Sequence, residues 1–231
     1  QEVMDAAAAA GKEIAFEASV GGGIPIIDPL KHSLIANEIT SVMGIVNGTT
    51  NYMLTRMADD AMDYDEALRE AQAAGFAEAD PSADVDGFDA AAKIAILASI
   101  AFNSRVVMDD VYTSGITSIS PVDLEAARDM GYVVKLLAIA HRRPEGIDVR
   151  VHPTMIPDTH QLATVNGVMN AIYVVGDAVG ETMFFGAGAG SGPAASAVMG
   201  DVLEVARHIQ QGVGPIVGCT CTDALPILPM E

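Results

Sequence analysis

The residues best suited to chemistry stand close together in the chain: Glu78, Asp80, Asp84, Asp86 and Asp89, followed by Lys93. Asp89 and Lys93 are four positions apart at the start of the apolar run from Phe88 to Phe102, which reads as a largely buried helix, so the two side chains share one helix face. A lysine on such a face, flanked by carboxylates, can pass a proton to and from a substrate. The same spacing also suits a plain surface ion pair beside a solvated acidic loop. A calcium loop is a third reading, because Ser82-x-Asp84-x-Asp86-Gly87 partly follows the EF-hand pattern. It fails at the twelfth position, where Lys93 stands in place of a bidentate glutamate and would repel the ion.

A second candidate is the small-residue loop Gly186-Ala187-Gly188-Ala189-Gly190, followed by Ser191-Gly192-Pro193. It invites a dinucleotide reading, but the phosphate-binding fingerprint belongs near the start of a βαβ unit with an acid about 20 residues later. This loop sits near the end of the chain, where close helix packing is an equal explanation. His152, His160 and His208 have no metal-ligand spacing, and Cys219 and Cys221 lack the further ligands of a zinc site.

These groups need a frame. An Ala-rich helix ends at Gly11, a short strand is expected from Ile14 to Ser19, and Gly21-Gly22-Gly23 makes a turn. A helix follows around Pro29 to Ala36, then a strand from Ile39 to Val46 and a polar turn, Asn47-Gly48-Thr49-Thr50-Asn51, able to cap the next helix. Asp65 to Ala74 is strongly helical and stops at Gly75, and Ser120-Pro121-Val122-Asp123 is a good helix start. The second half carries the runs Tyr132 to Ala140, Ile147 to His152, Ala171 to Gly176 and Thr182 to Phe185, apolar enough for strands, before a last helix opens at Pro193. The expectation is an α+β fold with a mixed, largely antiparallel sheet covered by helices on one face.

Half of the 231 residues are apolar and only 19% are charged, so the chain can bury a core. The net charge of −19 would repel phosphate backbones and anionic lipid surfaces, so nucleic acid and membrane are excluded as partners. No apolar run is long enough for a membrane span, Gln1 to Gly11 lacks the make-up of a signal peptide, and two cysteines fit a reducing, cytoplasmic setting.

The stretch Ala71-x-x-x-Gly75-Phe76-Ala77-Glu78-Ala79-Asp80-Pro81-x-x-Asp84-Val85-x-Gly87-x-Asp89-x-x-x-Lys93 resembles the homoserine dehydrogenase signature without departure. Phe16 to Ile27, Gly44 to Tyr52, His152-Pro153, Asn166 to Ala171 and Gly186 to Gly190 are similar to further family segments, so the resemblance spans roughly residues 1 to 210. It implies reversible hydride transfer between NAD or NADP and the homoserine/aspartate semialdehyde pair, a step in threonine, methionine and isoleucine biosynthesis. Lys93 is the implied proton donor. Glu78 and Asp89 are implied for the ammonium of the amino-acid substrate, with Asn47, Gly48 and Thr49 on the substrate side. Gly75, Glu78, Gly188 and Gly190 would face the cofactor. Glu17 and the carbonyls of Val20, Gly22 and Ile24 match the family's monovalent-cation site, usually sodium.

The resemblance further implies that residues 1–213 form a catalytic and homodimerising domain, and that 214–231 are a linker toward a regulatory domain. A nucleotide-binding domain would precede residue 1, so the chain alone should bind dinucleotide poorly and turn over little. The choice of NAD or NADP would be made in that preceding domain. A non-redox amino-acid-binding module with the same fold is the alternative.

Overall fold

In the computed structural model, which describes residues 2–213 and 225–230, the elements run in chain order as α1 (Glu2–Ala9), β1 (Ile39–Ile45), α2 (Gly48–Asp60), α3 (Tyr64–Ala73), α4 (Ser82–Val85) and α5 (Phe88–Ala101). Then follow β2 (Tyr112–Thr113), α6 (Pro121–Asp129), β3 (Tyr132–Arg143), β4 (Gly146–Pro157), β5 (Met169–Gly176), β6 (Gly180–Ala187) and α7 (Ser191–Gln211). Cys219 and Cys221, with most of the stretch 214–231, lie outside the described residues.

The strands form one sheet in the order β2-β4-β3-β1-β5-β6. Every neighbouring pair is antiparallel except β2 with β4. Alternation of side chains along the strands divides the apolar residues between two faces. On one face Val42, Leu136, Ala138, Val149, Val151, Ile172 and Val174 pack with Met53, Leu54 and Met57 of α2, Ala67 and Ala71 of α3, and Ile94, Leu97 and Ala98 of α5. The other face holds a smaller cluster, Ile45, Leu137, Ile139, Ile156, Ala171 and Tyr173, covered in part by Leu162, Ala163 and Val165. The fold is therefore α+β, with a mixed and largely antiparallel sheet backed by helices on one face.

Local signals set most boundaries. Ser120 accepts a hydrogen bond from the Asp123 amide, and Asp123 accepts one from the Ser120 amide in return, a reciprocal cap on α6. Gly75 takes a left-handed φ of 76° after α3, so that the Phe76 amide reaches back to the Ala71 carbonyl. β4 runs on to Pro157 through Pro153, past the expected end at His152. Proline is tolerated there because β2 pairs with Arg150 and Val151 and the 226–228 segment with Ile147, which leaves the edge beyond Val151 without a described strand to donate to.

Two expectations are corrected. Residues Ile14 to Ser19 form no strand: Glu17–Ser19 is a single 3-10 turn, because the Glu17 amide donates to Asp201 of α7 and its carboxylate gathers three amides from the following segment. The helix expected from Pro29 to Ala36 is one wide π-helical turn, Pro29–Ser33, which buries Leu30 and closes with the Leu34 amide on the Pro29 carbonyl. Within α5 the buried stripe is Ala90, Ala91, Ile94, Ala95, Leu97, Ala98 and Ala101, whereas Phe88 at its start stays exposed.

Candidate functional site

The site is organised by the residue where β1 gives way to α2. Asn47 has extended backbone angles (φ −125°, ψ 114°) and caps α2, its Oδ1 accepting from the Thr50 amide and the Thr50 hydroxyl, both at 2.9 Å. Its Nδ2 donates to Asp84 Oδ1 at 2.7 Å and to Asp89 Oδ2 at 3.0 Å. Both ends of this buried amide are thus committed, which fixes its orientation and that of the two carboxylates. The spacing of Asp84, Asp89 and Lys93 is converted into a place by one asparagine 37 residues away from the first of them.

Lys93 lies one turn beyond Asp89 on α5. Its Nζ donates to Asp89 Oδ2 at 2.6 Å and to the Val46 carbonyl at 2.8 Å. An ammonium has three protons, so one is left for a ligand. The side chain is 20% exposed, enough to be reached yet short of free solvation. Of the two readings open at the sequence level, the surface ion pair is the poorer description, since the pair is part-buried and tied into a chain of hydrogen bonds running from Lys93 through Asp89 and Asn47 to Asp84.

Around this chain lies an open cleft of about 640 Å³. That is ample for a small amino acid together with one end of a larger cofactor. Lys93, Asp89, Asn47, Gly48 and Thr49 line it, as do Gly75 and Glu78 from the loop after α3 and Gly188 and Gly190 from the loop after β6. The 75–80 loop is held by the Thr49 hydroxyl, which donates to the Phe76 carbonyl at 2.6 Å, and by Gln72, which donates to the Glu78 carbonyl at 3.0 Å. Glu78 itself is exposed, although it is among the residues that line the cleft.

Glu17, Val20, Gly22 and Ile24 do not line this cleft; they sit behind it. The Glu17 carboxylate is buried and accepts from the amides of Ile26 (2.5 Å), Ile27 (2.8 Å) and Asp28 (2.7 Å). Most of its lone pairs are therefore spent on the backbone. Among the described residues, no backbone amide donates to the carbonyls of Val20, Gly22 or Ile24. Gly22 has a φ of 58°, and a Cβ there would run into the Gly188 carbonyl, so this turn directly supports the loop that lines the cleft.

Other functional groups escaped the sequence reading. The Val46 carbonyl carries no side-chain signal at all. Asn170, 1% exposed on β5, lines the cleft beneath Gly188, and its Oδ1 has no hydrogen-bond partner among the described residues. Lys135, 4% exposed on β3, donates to Asn51 Oδ1 (3.2 Å), the Val165 carbonyl (2.7 Å) and Asn166 Oδ1 (2.8 Å). Burial pushes it down to about 8, with Asp59 opposing weakly. Asn51 in turn donates to the carbonyls of Val165, Gly167 and Met169, so the segment leading to Val168 and Asn170 is pinned from below. A lone polar residue inside an apolar strand run was the available signal for both Lys135 and Asn170.

The chain resembles known proteins over most of its length. A family model described as homoserine dehydrogenase matches residues 25–203. A curated homoserine dehydrogenase from Synechocystis is 50% identical over 239 residues, covering 100% of this chain and 55% of the relative. One from Corynebacterium glutamicum is 53% identical over 231 residues, covering 98% and 52%. The crystal structure of a homoserine dehydrogenase from Thiobacillus denitrificans superposes with a TM-score of 0.96 at 46% identity, covering 100% of this chain and 55% of that one. A hyperthermophilic archaeal homoserine dehydrogenase in complex with NADPH gives a TM-score of 0.77 at 29% identity, covering 89% and 59%. The chain spans about half the length of the curated relatives it matches.

Proposed function

The chain belongs to the homoserine dehydrogenase family, and from that premise we propose that it provides the substrate side of a site interconverting L-homoserine and L-aspartate 4-semialdehyde. The observation that carries this reading is Lys93, held by Asp89 and the Val46 carbonyl at the cleft with one proton to spare. Bound NAD or NADP supplies the hydride, or accepts it in the reverse direction. As the aldehyde carbon gains hydride, Lys93 donates a proton to the carbonyl oxygen and the alcohol forms. In reverse, the neutral amine takes the hydroxyl proton. Glu78 and Asp89 balance the substrate ammonium. The amides of Gly48 and Thr49, at the start of the 13-residue α2, suit its carboxylate. Gly75, Gly188 and Gly190 leave room for the nicotinamide end of the cofactor.

A monovalent cation, sodium by its chemistry, would sit on the carbonyls of Val20, Gly22 and Ile24 with Glu17 beside them and hold the turn against Gly188. A homodimer is part of the same reading, supported by the second sheet face, where Met183 and Phe185 remain exposed beside the smaller apolar cluster. A cytoplasmic setting is part of the family reading. Among the described residues no helix is long and apolar enough to cross a membrane.

Homoserine-dependent formation of NADH or NADPH by the full-length protein and by residues 1–231 alone, assayed side by side, tests the reading. Turnover in the full-length protein supports it. A folded full-length protein with no turnover in either direction, yet able to bind homoserine, would favour the amino-acid-binding module instead.

A further inference from the structure

Lys135 carries a positive charge into the interior, and each of its three protons meets a neutral acceptor: Asn51 Oδ1, the Val165 carbonyl and Asn166 Oδ1. Asp59 attracts the charge, but among the described residues no carboxylate forms an ion pair with it. Burying a cation without a paired counter-ion is costly, and a methionine of similar length would fill the space without that cost.

What the ammonium holds is the turn between residues 165 and 169. Asn51 donates to the carbonyls of Val165, Gly167 and Met169, and the Thr55 hydroxyl accepts from the Gly167 amide. The turn is thus drawn onto α2 and β3 from below, while Val168 at its tip lines the cleft. The Val168 carbonyl lies against the start of α2: a Cβ on Gly48 would stand 2.8 Å from its oxygen. Gly48 and Thr49 are also the two first-turn amides left over once Asn47 has taken those of Thr50 and Asn51. An acceptor carbonyl therefore adjoins two donor amides, and the placement of the turn decides which of them an anion meets.

We propose that Lys135 is a positioning residue for the carboxylate of the amino-acid substrate. It ties down the 165–169 turn, keeps the Val168 carbonyl from leaning toward the anion, and adds its charge to the positive end of α2. This rests on the reading above in which the Gly48 and Thr49 amides receive that carboxylate. Lys135 does not itself line the cleft.

The test is homoserine binding by calorimetry at neutral pH on the full-length protein, with reduced cofactor present so that no turnover occurs. Propanolamine, which keeps the ammonium and the hydroxyl but lacks the carboxylate, is the comparison ligand, and kcat is measured alongside. Lys135→Met should weaken homoserine by about tenfold and leave the propanolamine affinity unchanged, with kcat at saturating homoserine within about threefold. Asn166→Ala keeps the ammonium but removes one of its partners, and should weaken homoserine in the same sense by about threefold. Melting curves establish that each variant is folded, and the asparagine variant decides the matter if the methionine variant is not. Equal losses for the two ligands, a fall in kcat with homoserine binding intact, or unchanged homoserine affinity in the folded variants would overturn the assignment. Failure of the unsubstituted protein to turn over homoserine would overturn the dehydrogenase reading instead, and the binding comparison would still decide the role of Lys135.

Discussion

The reacting centre depends on who holds Lys93. Its two fixed partners leave a single proton free, which the proposed reaction assigns to the substrate. Lys93→Ala in the full-length protein should lower kcat by about 10²- to 10⁴-fold with a small change in the homoserine KM, measured by steady-state kinetics. An unchanged kcat would remove Lys93 from the chemistry. Asn47→Ala tests the positioning argument, because it releases Asp84 and Asp89 and uncaps α2 at once. It should cost about 1 kcal/mol or more in stability from the cap alone. It should also lower kcat while leaving the protein folded, as followed by thermal melting alongside the assay.

At the scale of elements, the site is a junction of three segments that meet with little tolerance. The turn carrying Gly22 presses on the Gly188 carbonyl, and that loop lies on Asn170. Gly22→Ala meets both a left-handed φ and a backbone clash, so it should destabilise by roughly 1–3 kcal/mol and weaken cofactor binding although it contacts no ligand. A melting temperature equal to that of the unsubstituted protein would mean that the two loops are not packed as described. The cation reading belongs to the same turn. Replacing sodium by choline at constant ionic strength should lower the melting temperature, since a cation held only by the folded turn stabilises it by mass action. Equal curves in the two salts would leave the carbonyls of Val20, Gly22 and Ile24 without that ligand.

Over the whole molecule, the buried ammonium of Lys135 ties stability to pH. An unfolded lysine keeps its proton until roughly pH 10.4, whereas the folded one is lowered to about 8 because burial disfavours its charge. Between those values the unfolded chain binds more protons, so this group's contribution to stability rises with pH through that window and is flat below it. The difference in unfolding free energy between the unsubstituted protein and Lys135→Met should therefore move toward the former by about 3 kcal/mol from pH 7 to 10.5. Comparing the two proteins cancels the titration of the other groups, and a constant difference would show that Lys135 does not lose its proton early in the folded state.

Much was determined by the sequence alone. The strand runs, the caps at Asn47 and Ser120, the Gly75 stop and the Glu78-to-Lys93 pattern are local, and short-range sterics and hydrogen bonding act on them wherever the chain goes. What only the tertiary structure decided is long-range: that Asn47 would join Asp84 to Asp89, that the Val46 carbonyl would orient Lys93, and that Ile14 to Ser19 would give up a strand because Glu17 finds amides to accept from. Lys135 belongs with these, since a polar residue in an apolar run is visible in sequence but its partners are not. Hydrogen-bond partners far apart in the chain meet only once the core has packed, and no local pattern encodes that meeting.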